Sequence, residues 1–210
     1  MRHVIITIIT LFIICCEDQK DQPNPNRGSN NFILVVGETV HDSLIYREFN
    51  PTLKIKGLRI GTDSNYIHKD SLKLDLDKDG TFDIQFAFFS EFHQPKCNCA
   101  GIDCCMPWGI NICKVQTLNN LELASISASE KVPKRLIFGD TLENQKSWIK
   151  SKEFISFAPM GTPDWNINYF NSFMGFRIAG QSGIVYGWLR LNTHTSTTIE
   201  ITDYVIEKRK

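Results

Sequence analysis

The chain has 210 residues in which 23 Lys plus Arg balance 23 Asp plus Glu, and the basic residues are scattered along its length. That distribution leaves no electrostatic footprint for nucleic acid, and the Lys208-Arg209-Lys210 end reads as a solvated tail. Hydrophobic residues make up 42%, with 14 Phe among them, which is enough for one domain with a proper core and excludes a wholly disordered chain.

Arg2 and His3 give the chain a short cationic start, an apolar run extends from Val4 to Ile14, and Cys15-Cys16 closes it ahead of the polar CEDQKDQPNPN. Eleven residues of helix span about 16 Å, too short for a hydrocarbon core of roughly 30 Å, so the pattern is an export signal and not a membrane span. The segment resembles a bacterial lipoprotein signal peptide. Cys16 is the residue expected to carry the lipid, palmitate included, because it is preceded by aliphatic Ile13 and Ile14 and the small Cys15. Several acyl chains on one cysteine anchor stably, each buried CH₂ contributing about 0.8 kcal/mol. Glu17 and Asp18 resemble the acidic export signal of surface-displayed lipoproteins of Bacteroidota, so the expected location is the cell envelope, at the outer membrane and its surface. Residues 17–30 are rich in Pro, Asn and Asp with no apolar face, and read as a flexible tether to a single β domain over residues 31–210.

Period-two alternation dominates that domain. Leu72, Leu74 and Leu76 face Phe82, Ile84, Phe86 and Phe88 across a turn at Asp77 to Thr81, predicting a hairpin. Lys114 to Leu118 and Leu121 to Ser125 flank Asn119-Asn120, where Asn tolerates the positive φ of a two-residue turn, predicting a second hairpin. Ser172 to Ala179 and Ile184 to Leu191 flank Gly180 to Gly183, and a last strand runs from Thr197 to Glu207. Phe32 to Val36, Thr52 to Ile60, Pro133 to Phe138 and Glu153 to Phe157 bring the count to roughly ten strands. The fold expected is mainly β, an antiparallel β-sandwich or jelly roll with a Cys-rich insertion and little helix beyond one turn near Thr141 to Ile149.

The sharpest chemical motif is D-L-D-K-D-G-T-F-D, from Asp75 to Asp83. Asp75, Asp77 and Asp79 alternate, Gly80 supplies a sharp turn, the carbonyl of Thr81 adds an oxygen, and Asp83 ligates directly or through water, so the expected cofactor is calcium. An EF-hand would place a bidentate Glu where Phe86 stands, so the closer resemblance is to the strand-flanked calcium loops of FG-GAP-like repeats. The competing reading is an Asp-rich turn whose side chains cap their own amides.

Cys97, Cys99, Cys104, Cys105 and Cys113 lie close together. In an oxidising compartment they read as two disulfides and one spare thiol stapling an insertion, KCNCAGIDCCMPWGINIC, with no strand pattern of its own. The rival is zinc held by His93, Cys97, Cys99 and a later cysteine, although these spacings are not those of a zinc knuckle. Trp108 at the insertion, and Tyr186 with Trp188 on one strand face, form a candidate ligand platform; the structural alternative is that they are core.

No catalytic motif stands out. His41, His68, His93 and His194 occupy separate contexts, while Glu38, Asp42, Glu48, Asp164 and Asp203 are scattered carboxylates from which spacing selects no acid and base pair. Three segments, LDLDKDGTFDIQF, KVQTLNNLELAS and FMGFRIAGQSGIVYGWLRLN with the following ITDYVIEK, resemble uncharacterised lipoproteins of Bacteroidota that carry an Asp-rich hairpin, a Tyr-Gly-Trp strand and a closing Asp-Tyr strand, here Asp203-Tyr204. The resemblance covers most of residues 70 to 207 and implies an extracytoplasmic β domain without an established activity. The expected function is lipid-anchored, non-enzymatic binding or scaffolding with the membrane and a glycan or protein ligand as partners. The alternatives are a carbohydrate-binding module, showing coplanar exposed aromatics among Trp108, Trp148, Trp165 and Trp188, and a glycoside hydrolase-like β-sandwich.

Overall fold

The computed structural model describes residues 33–56, 58–62, 65–93, 108–127, 129, 131–142, 145, 147–158, 165, 169–180, 183–195 and 198–208. The signal segment with Cys16, the tether, Asp164 and the cysteines 97, 99, 104 and 105 lie outside the described residues.

Within residues 33–210 the chain forms two antiparallel sheets and, among the described residues, no helix. One sheet holds β1 (Leu44–Lys56), β6 (Leu121–Ala124), β7 (Arg135–Leu136), β8 (Trp148–Ile149), β10 (Tyr169–Gly180), β11 (Gly183–Thr195) and β12 (Thr198–Glu207). Its order is β1-β12-β11-β10-β6-β8, with β7 also paired to β10. The other holds β2 (Leu58–Gly61), β3 (Asn65–Leu74), β4 (Ile84–His93), β5 (Trp108–Thr117) and β9 (Ile155–Ala158), in the order β2-β3-β4-β5-β9. Leu74, Ile84, Phe86, Phe88 and Val115 of the smaller sheet and Phe176, Leu189, Leu191, Ile199 and Ile201 of the larger one are buried in one apolar cluster. The architecture is the β-sandwich that the alternation predicts. Each fully buried Phe or Leu contributes roughly 1.5–3 kcal/mol from the water it leaves, which is why register follows the apolar rows.

The predicted hairpin of β3 and β4 forms, with Leu74 opposite Ile84 and Leu72 opposite Phe86. Phe82 departs from its row. It precedes β4 and is 52% exposed, with the Lys73 Nζ 5.8 Å from its ring. The β10–β11 hairpin also forms, with Gly180 opposite Gly183. Gly187 between Tyr186 and Trp188 is required by close approach: a Cβ there would stand 2.2 Å from Phe176 Cζ, so the missing side chain lets Phe176 lie on β11.

The predicted hairpin at Asn119-Asn120 does not form. Asn119 does take a positive φ of 48°, but β5 pairs with β4 and β9 while β6 pairs with β10 and β8, so the turn carries the chain from one sheet to the other. Burying both Val115 and Leu121 across the sandwich satisfies the apolar residues that a side-by-side pairing would also have satisfied, and the turn's φ preference cannot distinguish the two. Thr52 to Ile60 likewise splits, β1 ending at Lys56 in one sheet and β2 starting at Leu58 in the other. Phe32 to Val36 reduces, in its described part, to a single bridge from Val35 to Thr141. Of the helical turn expected near Thr141 to Ile149, the described residues show a hydrogen bond from Gln145 N–H to the Leu142 carbonyl, followed by the short β8. The Cys-rich segment ends sooner than expected, because Trp108 to Cys113 already pair with β4 as part of β5.

β12 carries one extra residue. Asp203 sits opposite Arg190 and Ile201 opposite Leu191, which leaves Thr202 as a bulge. The bulge reverses the parity of the strand: Ile199 and Ile201 before it and Tyr204 and Ile206 after it all belong to the inner cluster, whereas Asp203 and Val205 do not. On the outer face of the large sheet Trp188, Phe173 and Val205 are buried together with Leu34, Val36, Leu136 and Leu142, which form a second apolar layer. Gly175 is required there, since a Cβ would meet Leu142 at 2.5 Å and Leu136 at 2.7 Å.

Candidate metal centre

The Asp-rich loop joins β3 to β4, and its backbone reverses through positive φ at Lys78 (62°) and Gly80 (92°). Much of its polar chemistry is internal. Asp79 N–H donates to Asp77 Oδ1 (3.1 Å), Gly80 N–H to Asp75 Oδ2 (3.0 Å), and both N–H and Oγ1 of Thr81 to Asp79 Oδ1 (2.8 and 2.6 Å). The loop is also tied to the sheet-crossing turn: Leu118 N–H donates to the Asp83 carbonyl (2.7 Å) and Asn119 Nδ2 to the Phe82 carbonyl (2.7 Å).

Three carboxylates remain convergent. Asp75, Asp77 and Asp83 each offer an oxygen, and all three oxygens lie within 4.8 Å of one another. Oxygens sharing a cation at the 2.3–2.6 Å of a calcium ligand stand at most about 5 Å apart, so the spacing is one that a single hard cation can satisfy. Asp83 is only 2% exposed, and its carboxylate accepts the Leu76 N–H at 2.7 Å. Burial foremost, together with the charges of Asp77 and Asp75, pushes its pKa up to about 6 despite the amide donors that favour the anion. Asp75 Oδ1 is buried and has no hydrogen-bond partner. A carboxylate oxygen so placed costs free energy until something positive or protic meets it. The fit to a cation therefore rests on this orphaned atom as well as on the acidic cluster.

Of the five ligands expected from the sequence, Asp75, Asp77 and Asp83 come together, while Asp79 faces Thr81 as a cap and is not part of the convergent group. The loop thus caps its own amides at Asp79 and leaves three carboxylates that could hold a metal ion. Sequence reasoning missed Tyr204. This residue of β12 is 1% exposed, its ring lies tilted against Phe49 at 5.7 Å, and its hydroxyl is buried without a partner. Burial raises its pKa; Arg47, its register neighbour on β1, opposes that rise, and Asp75, Asp83 and Asp77 add to it. The phenol therefore lies in the field of all three clustered carboxylates. The Asp203-Tyr204 pair is visible in the sequence, but the bulge that turns Tyr204 inward is not.

The remaining candidates disperse. Trp188 is fully buried, edge-on to Phe173 at 5.2 Å, and is core of the outer layer rather than platform. Trp165 is also buried, its Nε1 donating to the Pro133 carbonyl at 2.8 Å. Tyr186 instead neighbours Trp148 at 5.8 Å, but the rings are tilted by 54° and Arg177 lies 4.7 Å over Trp148, so these two do not make the coplanar pair expected of a sugar platform. The side chain of Trp108 lies outside the described residues. Cys113, a disulfide candidate, is a free thiol on β5, buried among apolar side chains that push its pKa up to about 12.

Asp203 is engaged on the other face of the large sheet. It accepts from Arg190 Nη2 at 2.7 Å and from the Tyr46 hydroxyl at 3.0 Å, with Glu48 opposite it in register. Tyr46 is pushed up to about 12, first by burial and then by the hydrogen bond and charge of Asp203. Such a pairing uses the carboxylate structurally. Compared with known proteins, the chain matches no family model, no curated protein and no solved structure.

Proposed function

We propose that this chain is a lipid-anchored β-sandwich of the cell envelope that binds or scaffolds rather than catalyses, with one calcium ion held by Asp75, Asp77 and Asp83. The observation that carries the reading is the convergence of those three carboxylates around a buried, unpartnered Asp75 oxygen at the end of the β3–β4 hairpin. Calcium suits an all-oxygen, carboxylate-rich donor set better than softer metals do. Bound there, it would neutralise the repulsion among the three anions and fix the loop against the turn at Asn119 that links the two sheets. The anchor is supported by the cationic start, the short apolar run and Cys16 ahead of a polar tether. A glycan or protein partner is the ligand class that a displayed β domain of this kind would meet.

Native mass spectrometry of the chain recovered from membranes tests the whole reading. One calcium per chain, lost in chelator, together with a mass increment for acyl groups at the N-terminus, is the expected result. A Cys16→Ala chain should take up no fatty-acid analogue. Undiminished label on that variant would remove the anchor from Cys16, and a metal-free mass in millimolar calcium would remove the ion.

A further inference from the structure

Among the described residues, two of the buried oxygens without a hydrogen-bond partner belong to opposite sheets: Asp75 Oδ1, just past the end of β3, and the Tyr204 hydroxyl on β12. Tyr204 is oriented by position. The Thr202 bulge places it in the inner cluster with Leu74 and Leu76, the residues on either side of Asp75, and in register it shares its face with Leu189 and Arg47. Among the three clustered carboxylates Asp75 acts on the phenol most strongly. Neither oxygen bonds the other, and one group that reached both would relieve each of its desolvation cost.

We infer that the Tyr204 hydroxyl is part of the cation site, accepting a hydrogen bond from a water on the ion held by Asp75, Asp77 and Asp83, so that the site joins the two sheets instead of belonging to one hairpin. This rests on the calcium reading above. A coordinated water directs its lone pair at the metal and both its protons outward, and a buried phenol oxygen is a suitable acceptor for one of them. The cation then links the end of the β3–β4 hairpin to the centre of β12. Loading it stiffens the contact between the sheets, where a loop-only site would affect the turn alone.

The test compares the full chain with Tyr204→Phe and Asp77→Ala by calorimetric calcium titration and by thermal unfolding in chelator. For Tyr204→Phe the expected result is a calcium Kd raised about 5- to 10-fold, the loss of one hydrogen bond's net contribution. In chelator the same variant should unfold at the wild-type temperature or slightly above it, since it loses a hydroxyl that has no partner. Calcium should also produce a tyrosine difference absorbance in wild type that is missing in Tyr204→Phe. Equal affinities for wild type and Tyr204→Phe would overturn the role of Tyr204 and leave the calcium reading standing. Destabilisation of Tyr204→Phe in chelator would overturn the premise that its hydroxyl is unpartnered. Absence of binding in the wild type would overturn the calcium reading and this inference together.

Discussion

Asp83 and Asp203 are almost equally inaccessible, at 2% and 3% exposure, yet the protein treats their charges in opposite ways. Asp203 meets a guanidinium and a phenol, Arg190 and Tyr46, within 3.0 Å. Asp83 meets a backbone amide and two further carboxylates. One anion is neutralised from within the fold, and the other is set where more negative charge gathers. Burying a carboxylate beside like charges is costly, and the cost is removed either by a proton, as the pKa of about 6 expresses, or by a cation from solution. The difference separates a site that completes the structure from one that awaits something.

The largest effect is expected at the closed site. Asp203→Ala leaves Arg190 and Tyr46 without their shared acceptor, and should cost about 2–4 kcal/mol of unfolding free energy, below the full penalty of a deeply buried pair because Arg190 is partly exposed. Denaturant unfolding measures it, and the loss should be the same in calcium and in chelator. In the same variant Tyr46 should titrate closer to 10.0, read from the phenolate absorbance at alkaline pH. A stability loss that calcium modulates would break the separation between the two sites.

Next in size is the open site. A cation that binds only the folded chain should add about 2.7 kcal/mol at a hundredfold excess over its Kd. Asp77→Ala should lose most of that gain while its calcium-free form is unchanged or slightly more stable. Identical wild-type melting midpoints in chelator and in millimolar calcium would sink the assignment and leave the loop as a self-capped turn.

A third effect is a pH dependence carried by Asp83 in the metal-free protein. Its folded pKa, about 6, lies above the ordinary 3.8, so the folded state holds the proton more tightly than the unfolded chain. The resulting stabilisation is fully present below pH 4 and is lost as the pH rises through 6. Asp83→Asn should remove that component: in chelator, the difference in stability between variant and wild type should shift in the variant's favour from pH 4 to pH 7. A constant difference across this interval would mean that Asp83 is no harder to ionise in the fold than in the open chain. With calcium present the sign reverses, because proton and ion compete for the same oxygen.

How far these sites were legible follows from the range of the forces that build them. The β3–β4 and β10–β11 hairpins could be read because alternation and turn chemistry are local, and the convergence of three of the five proposed ligands, Asp75, Asp77 and Asp83, follows from the same local spacing. Asp79 stands apart from that group because a carboxylate two residues before an amide can cap it as readily as reach a shared ion, and here it caps Thr81. The Asn119 turn was read correctly as a turn and wrongly as a hairpin, since pairing across the sandwich depends on partners such as β10, some fifty residues away in sequence. Trp188 and Tyr186 share one strand face as read, but only the outer layer of Leu136 and Leu142 decides that Trp188 is buried and Tyr186 is not. Tyr204 was beyond reach, because a single extra residue in β12 changes which face it occupies without leaving a compositional trace.

That extra residue has an evolutionary consequence. Thr202 acts as a phase shift in β12: upstream the odd-numbered side chains point inward, and downstream the even-numbered ones do. Substitutions can dismantle the Arg190–Asp203 pair or the phenol of Tyr204 separately. A one-residue deletion at Thr202 would do neither: it would close the bulge and leave Ile201, Asp203 and Tyr204 in simple alternation, each opposite its present partner and on its present face. Related chains one residue shorter at this point should therefore keep both the Arg190–Asp203 pair and an inward Tyr204, so the bulge itself is the feature free to be lost.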